Sequence, residues 1–533
     1  MRKLISAIAL CLPCYPADSS YLAVVRTFVD TMMTRGTDHY GPVHSPLFAA
    51  TLDLKTMSLP KLSGVEELPR NRDGHVYAIG YGLPDPPVGI RPGDRAPQGN
   101  NLEHDIMLLR TMYELSAVTG EARYATFADS ILRFWLFHCQ SPATGLMASG
   151  EHMSWDFVHE KAAANLYEVF RRFPFYAQLY AIDAYRTLRI ADALWLSQIG
   201  NKLVGDFSRH ARYESFQPDT GCALPRHAGF YIWAYANAYA QSRDPKYIDR
   251  IEVLIESRTG KRPQPFSLLV KPGQFEPANS AHPTLRLLLW DAAELVPSRR
   301  EVWRRLVREL DEQAFKGEGG PINLGYDRNG KVLWGTPEFR HREASAETAP
   351  RKPTAADEAL AKQYPSLVRF GRVLSTGGQT RSTTLSRLWG LEYGSSGPSG
   401  DALRDYHGYL QSKDERFLQR AQEITDRYLR EGFPKVTYDL WPKAAGQVIS
   451  LSLALSADQA IPTAKRQRYL AFAREVADRA IPVFSKNGLF RADGAAEHYE
   501  AITGADDLLW ALLQLHCALH RPEAPLGYID VNW

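Results

Sequence analysis

Thr119-Gly120-Glu121-Ala122-Arg123-Tyr124, Ser242-Arg243-Asp244-Pro245-Lys246-Tyr247 and Ser412-Lys413-Asp414-Glu415-Arg416-Phe417 read as three copies of one junction. Each follows an apolar or aromatic helix end, passes through a short polar turn, and reaches a tyrosine or phenylalanine that opens the next helix. Before the first junction, Leu102 to Leu115 carries Ile106, Leu109, Met112, Tyr113 and Leu115 at helical spacing; after it, Ala122 to Phe137 supplies a second helix. The pattern returns as Phe230 to Tyr239 followed by Tyr247 to Ile255, and as Asp405 to Leu410 followed by Phe417 to Leu429. A helical hairpin cannot bury both faces alone, so recurring hairpins must stack on one another. The expected fold is all-α: an (α/α) toroid of roughly six or seven hairpins with minor β loops. Closure creates a central cleft at the loop ends, where polar residues gather.

The bulk numbers agree with a large enzyme and exclude other classes. An apolar share of 44% over 533 residues supports a substantial core and excludes global disorder. A net charge of +3, with no long basic block, gives no footing for nucleic acid. The aromatic share of 11% suits rings that stack on sugars but fits an ordinary core equally well. Cys11 and Cys14 have CxxC spacing without a second pair, and Cys139, Cys222 and Cys517 are far apart, so a structural zinc site is not expected.

Residues 1–20 begin with Met1-Arg2-Lys3 and the short apolar run Leu4 to Leu12, the pattern of a secretory signal peptide. Residues 21–533 are then one toroidal catalytic domain, periplasmic or secreted, with no membrane span. Lys316 to Pro321 reads as a loop, Asn329-Gly330 as a tight hairpin turn, and Arg342 to Pro365 as a surface excursion.

Chemistry concentrates between Gly150 and Tyr213. His152 lies in Gly150-Glu151-His152-Met153-Ser154-Trp155-Asp156, near an expected helix start. Glu168 lies in a helical or pre-helical stretch before Arg171-Arg172-Phe173-Pro174-Phe175-Tyr176. Arg209-His210 follows Ile199 to Phe207, near the expected end of a later helix. Two imidazoles and a carboxylate suit a divalent cation that keeps positions open for substrate. An adjacent guanidinium suits an anionic substrate. Singly, each residue has a plainer reading: a loop-capping histidine, a solvated glutamate, a surface ion pair, a satisfied interior histidine. A second pair, Arg226-His227, precedes the aromatic run Phe230, Tyr231, Trp233 and Tyr235. It reads either as a helix N-terminus with core aromatics or as a loop gripping substrate carboxylates.

These motifs resemble polysaccharide lyase family 2, pectate lyases with an (α/α) toroid. The resemblance touches Tyr40-Gly41 and Leu108 to Asp129, the latter with Leu115-Ser116-Ala117-Val118-Thr119-Gly120. It is fullest over Gly150-Glu151-His152, Glu168 before Phe173-Pro174-Phe175-Tyr176, and Arg209-His210-Ala211-Arg212-Tyr213. It implies that His152, Glu168 and His210 ligate a divalent metal, with manganese the expected ion and calcium or another transition metal as alternatives. It implies that Arg209 is the Brønsted base of a β-elimination on an acidic polysaccharide or oligosaccharide such as polygalacturonate. Arg226, His227, Tyr213 and Trp155 are the expected substrate contacts. A guanidinium base demands a desolvated, cationic setting; without one, Arg209 would grip the carboxylate and a tyrosine or lysine would be the base. Glu497-His498-Tyr499-Glu500 reads as lining the same cleft as Arg226-His227. Two other readings stand beside this one. The first is a glycoside hydrolase on the same toroid, pairing Glu160 or Asp156 with Glu500 as acid and base. The second is a noncatalytic glycan-binding protein.

Overall fold

The computed structural model describes residues 20–61, 94–203, 205–216, 225–258, 281–315 and 396–523, with shorter pieces at 373–374, 380–381 and 385–391 (387 excepted) and isolated positions elsewhere. The N-terminal 19 residues, Cys222 and the stretches at 316–321, 329–330 and 342–365 lie outside the described residues. Cys139 and Cys517 are buried and unbridged, as small core residues.

The three junctions share one turn chemistry. The left-handed position that ends the first helix is taken by Gly120 (φ 76°), Arg243 (φ 61°) and Lys413 (φ 60°). Their amides donate to the carbonyls of Ser116, Tyr239 and Tyr409, satisfying acceptors that a helix end otherwise leaves open. Glycine takes this conformation without cost, whereas the arginine and the lysine meet a strain on the order of 1–2 kcal/mol. The preceding hydroxyls of Thr119, Ser242 and Ser412 accept from the amides of Glu121, Asp244 and Asp414. The aromatic that opens each following helix, Tyr124, Tyr247 or Phe417, is fully buried and pins the hairpin to the core.

Among the described residues there are fourteen α-helices: α1 (Ser20–Arg35), α2 (Ile106–Thr119), α3 (Ala122–His138), α4 (Tyr176–Ile182), α5 (Ala184–Gln198), α6 (Pro225–Ser242) and α7 (Lys246–Arg258). The second half adds α8 (Ala281–Leu295), α9 (Arg300–Phe315), α10 (Gly397–Ser412), α11 (Glu415–Glu431), α12 (Pro442–Ala457), α13 (Thr463–Phe484) and α14 (Ala505–His520). The even-numbered helices form the inner ring. α6 packs on α8, α8 on α10, α10 on α12, α12 on α14, and α14 on α2. The last inner helix thus meets the first, and α1 packs outside α14 as the seventh outer helix among the described residues. Burial separates the layers: α14 is buried at every position from Ala505 to Cys517. α11 buries only the stripe Phe417, Leu418, Ala421, Thr425 and Tyr428, as an amphipathic outer helix should.

Neighbouring inner helices run in the same direction. A Cβ on Gly229, early in α6, would meet Thr284 and Leu285, early in α8. Ser399 and Tyr406 of α10 bond Gln447 and the Ala454 carbonyl of α12, and the Arg521 side chain after α14 reaches the Val118 carbonyl at the end of α2. One mouth of the toroid therefore carries the N-termini of the inner helices.

Strands are two or three residues long. β1 (Thr51–Asp53) pairs with β13 (His498–Glu500), β2 (Gly99–Asn100) with β3 (Trp155–Asp156), and β3 with β4 (Lys161–Ala162). β5 (Leu166–Tyr167) pairs with β8 (Ala211–Arg212), β6 (Ile199–Asn201) with β7 (Asp206–Phe207), β9 (Val373–Leu374) with β10 (Thr380–Arg381), and β11 (Ser485–Lys486) with β12 (Leu489–Phe490). The β1–β13 and β5–β8 pairings join distant segments, so the strands are not confined to local hairpins. No helix among the described residues is long and apolar enough to cross a membrane.

Candidate metal and active site

The site is built on strands and loops, where the sequence suggested helices. Glu168 follows β5 directly, and α5 ends at Gln198, so Ile199 to Phe207 is a bulged two-stranded hairpin. His152 lies in an irregular segment before β3. The β5–β8 ladder pairs Leu166 with Arg212 and Tyr167 with Ala211. The next step of that register sets Glu168 opposite His210, since facing residues of an antiparallel pair are side-chain neighbours. His152 is brought in by a second device. The Asn101 side chain accepts from the Gly150 amide (3.2 Å) and donates to its carbonyl (2.7 Å), while the Glu151 amide donates to the Glu168 carbonyl (3.0 Å). Gly150 has φ 135°, and a Cβ there would lie 2.3 Å from the Glu168 carbonyl oxygen. Only glycine permits this approach.

Four side chains converge on the Glu168 carboxylate, which is fully buried. Its Oε2 faces His210 Nε2 at 2.7 Å and His152 Nε2 at 3.2 Å. Its Oε1 faces His227 Nε2 at 2.9 Å and Arg209 Nη1 at 3.1 Å. Glu151 adds a second carboxylate, with Oε2 at 3.7 Å from Arg209 Nη1 and 3.8 Å from His152 Nε2. Asp94 lies behind His152, with Oδ1 at 3.5 Å from Nδ1. Burial would push Glu168 up, but the Arg209 charge and the contacts from His152, His210 and His227 hold it well below the usual carboxylate range. Burial likewise opposes a charge on His152, yet Asp94, Glu168 and Glu151 outweigh it and raise that imidazole to about 10.

The donor set fits a divalent ion. Ligand atoms of His152, Glu168 and His210 lie within 4.8 Å of one another. Ligands bound at ~2.1 Å and spread at tetrahedral or octahedral angles stand roughly 3.0–3.4 Å apart, close to the 2.7 and 3.2 Å found from Glu168 Oε2 to the two imidazoles. Three protein ligands leave positions for water or substrate, and Asp94 behind His152 is the outer carboxylate that orients a metal-bound imidazole.

His152, Glu168, His210 and Arg209 thus come together as the sequence suggested. His227 joins them, but as a buried residue of the first turn of α6 with its ring on Glu168. The segment beginning at Pro225 is a helix start, Pro225 taking the first position, and not a loop. Arg226 lies in the same turn, its side chain outside the described residues. Tyr213 is buried and directs its hydroxyl to the Cys139 carbonyl (3.2 Å), and Trp155 is a buried residue of β3. Glu500 is fully buried, with both oxygens on Arg95 (2.6 and 2.7 Å) and Oε2 also 2.9 Å from His498. Both of its oxygens are therefore held in a buried ion pair. Asp156 accepts from the amides of Val158 and His159 and from the His159 ring. Asp94 and the roles of Glu151 and His227 were not legible in the chain, because no spacing rule links them to Glu168. The Arg172 guanidinium stacks on Trp233 (4.0 Å) and pairs with Asp291 (2.8 Å) beside a cavity of about 650 Å3 between inner helices.

The sequence model of a family described as periplasmic pectate lyase matches residues 91–221, the span that contains Asp94, Glu151, His152, Glu168, Arg209 and His210 but not His227. This match supports an enzyme acting on polysaccharide. Among solved structures, a D-mannose isomerase is similar at 11% identity and a TM-score of 0.42, covering 95% of this chain and 100% of its own. An unsaturated glucuronyl hydrolase specific for heparin is similar at 12% and 0.36, covering 95% and 99%. A cellobiose 2-epimerase from Spirochaeta thermophila is similar at 12% and 0.38, covering 77% and 85%. Likenesses this loose assign no chemistry.

Proposed function

We propose that this chain is a cation-dependent polysaccharide lyase that cleaves uronate-containing glycans of the pectate type by β-elimination. The observation that carries the reading is the convergence of His152, Glu168 and His210, within 4.8 Å of one another, beside the Arg209 guanidinium. The periplasmic pectate lyase match over residues 91–221 supports it independently. Manganese is the expected ion, and the periplasm or the exterior the expected place of action.

The C5 proton of a uronate is only weakly acidic, and its removal builds enolate-like charge on the neighbouring carboxylate. His152, Glu168 and His210 would hold a divalent ion, which would supply the positive charge that this carboxylate needs. To hold the ion, both histidines would have to present unprotonated Nε2 atoms, and Asp94, 3.5 Å from His152 Nδ1, would keep that ring turned. Arg209 is assigned the proton transfer from C5. It leans on two carboxylates, Glu168 at 3.1 Å and Glu151 at 3.7 Å, which favour its charged form. A cation held beside Glu168 would offset the two carboxylates around Arg209, and that added positive charge would move Arg209 toward the role of acceptor. Loss of the C5 proton and cleavage of the C4–O4 bond leave a 4,5-unsaturated uronide, and the departing oxygen takes up a proton.

The test uses chelator-treated protein on polygalacturonate with and without added manganese. Ultraviolet absorbance from the unsaturated uronide should rise together with reducing ends, and only with the ion present. Reducing ends without absorbance would mean hydrolysis and would overturn the proposal.

A further inference from the structure

The two oxygens of Glu168 are divided between two sets of partners. Oε2 faces His152 and His210, whereas Oε1 faces His227 Nε2 at 2.9 Å and Arg209 Nη1 at 3.1 Å. An ionised carboxylate is acceptor-only, so at 2.9 Å the favourable arrangement puts the proton of the Glu168–His227 pair on His227 Nε2. His227 and Glu168 are both fully buried. His152, Arg209 and His210 belong to loops, but His227 belongs to the first turn of an eighteen-residue inner helix, its ring edge-on to Phe230 at 5.7 Å. It is the part of the cluster with the stiffest support.

A carboxylate can ligate through one oxygen or through both, and the choice decides which ion it suits. Calcium takes six to eight oxygens and readily accepts a two-oxygen carboxylate, whereas smaller transition ions with imidazole ligands take single oxygens. We propose that His227 is a positioning residue that holds Glu168 Oε1 away from the cation, making Glu168 a one-oxygen ligand and biasing the site toward manganese-like ions over calcium. The inference rests on the reading of His152, Glu168 and His210 as a cation site. It gives His227 a role other than contact with substrate.

The experiment measures manganese and calcium dissociation constants on the full chain by calorimetry, without substrate, and records the electron paramagnetic resonance spectrum of bound manganese. His227→Phe keeps the ring volume but removes the donor, and His227→Gln restores a donor to Oε1. In His227→Phe, manganese affinity should fall about 10- to 100-fold, the range for loss of an outer-shell partner. Calcium should weaken less, so the selectivity ratio should drop and the manganese spectrum change. His227→Gln should recover most of both. The inference is overturned if His227→Phe binds manganese with parental affinity and selectivity, or if His227→Gln is as impaired as His227→Phe. Parallel measurement of His210→Ala separates this from the underlying reading. If His210→Ala also binds manganese like the parent, the cation site itself is wrong; if it loses binding while His227→Phe does not, only the role of His227 falls.

Discussion

Replacing Glu500 with glutamine separates a structural carboxylate from a catalytic one. Glu500 has no exposed surface, and Arg95 is 1% exposed; the guanidinium meets both carboxylate oxygens at 2.6 and 2.7 Å and otherwise reaches the Pro84 carbonyl at 2.7 Å and His498 Nε2 at 3.4 Å. Removing the negative charge leaves Arg95 buried with neutral acceptors only. Breaking a buried pair in this way costs about 3–5 kcal/mol. With unfolding entropy near 2.1 cal/mol/K per residue, a chain of 533 residues loses roughly 1 °C per kcal/mol if it unfolds in one step, so the thermal midpoint should fall by about 3–5 °C. The double replacement Arg95→Met with Glu500→Leu should recover much of that loss, because it leaves no lone charge. The loss should also depend on pH. Burial would raise Glu500, but Arg95 and His498 outweigh it and hold the acid below its ordinary value. A depressed acid contributes stability that is fully present above the unfolded value near ~4.3 and is lost as pH falls through the folded value. Parent and Glu500→Gln should therefore differ most near neutrality and converge in acid. Scanning calorimetry at one scan rate measures this, alongside activity at a temperature where both proteins are folded. A parental midpoint with abolished activity would refute the reasoning and revive Glu500 as a hydrolytic carboxylate.

Three other substitutions probe the site. For the parent chain, manganese at 100 times its dissociation constant should stabilise by about 2.7 kcal/mol, and His210→Ala should lose this thermal shift while keeping its metal-free midpoint. Arg209→Lys should lower kcat about 10²- to 10⁴-fold, the range for a general base, with a much smaller change in KM and partial recovery in alkali; a loss confined to KM, or a larger kcat loss in Arg226→Lys, would remove Arg209 from the role. Gly150→Ala should cost about 1–3 kcal/mol from its backbone angle alone and weaken manganese binding by displacing the Glu168 carbonyl. Gly432→Ala is its control, with φ 72° but nothing within 4 Å of the added carbon, and its manganese affinity should stay parental.

The toroid was legible because its signal is local. The three junctions repeat a turn whose hydroxyl, left-handed residue and buried aromatic all lie within six positions of one another. The site residues were legible by type, but the elements that carry them were not. Ile199, Leu203 and Phe207 stand at helical spacing, yet Gly200 and Gly205 interrupt the run; Leu203 is 80% exposed, and Gly205 has φ 75° at the hairpin turn. Glu168 reads as helical because Leu166, Val169 and Phe170 mimic an apolar face, whereas pairing with β8 decides its conformation. That pairing spans more than forty residues and has no local signature. His227 was ambiguous for the same reason: its partner is a carboxylate just past a strand about sixty residues upstream, and only tertiary packing brings the two into contact.

The most direct test of the central claim follows the fate of water. Manganese-restored protein is given a defined galacturonate oligosaccharide in water enriched in oxygen-18, and the products are weighed by mass spectrometry. β-Elimination adds no water: the product masses should sum to that of the substrate, one product should carry the 4,5 double bond, and no label should enter at the cleavage site beyond slow exchange at reducing ends. Products that together exceed the substrate by one labelled water, with no unsaturated sugar, would contradict the account.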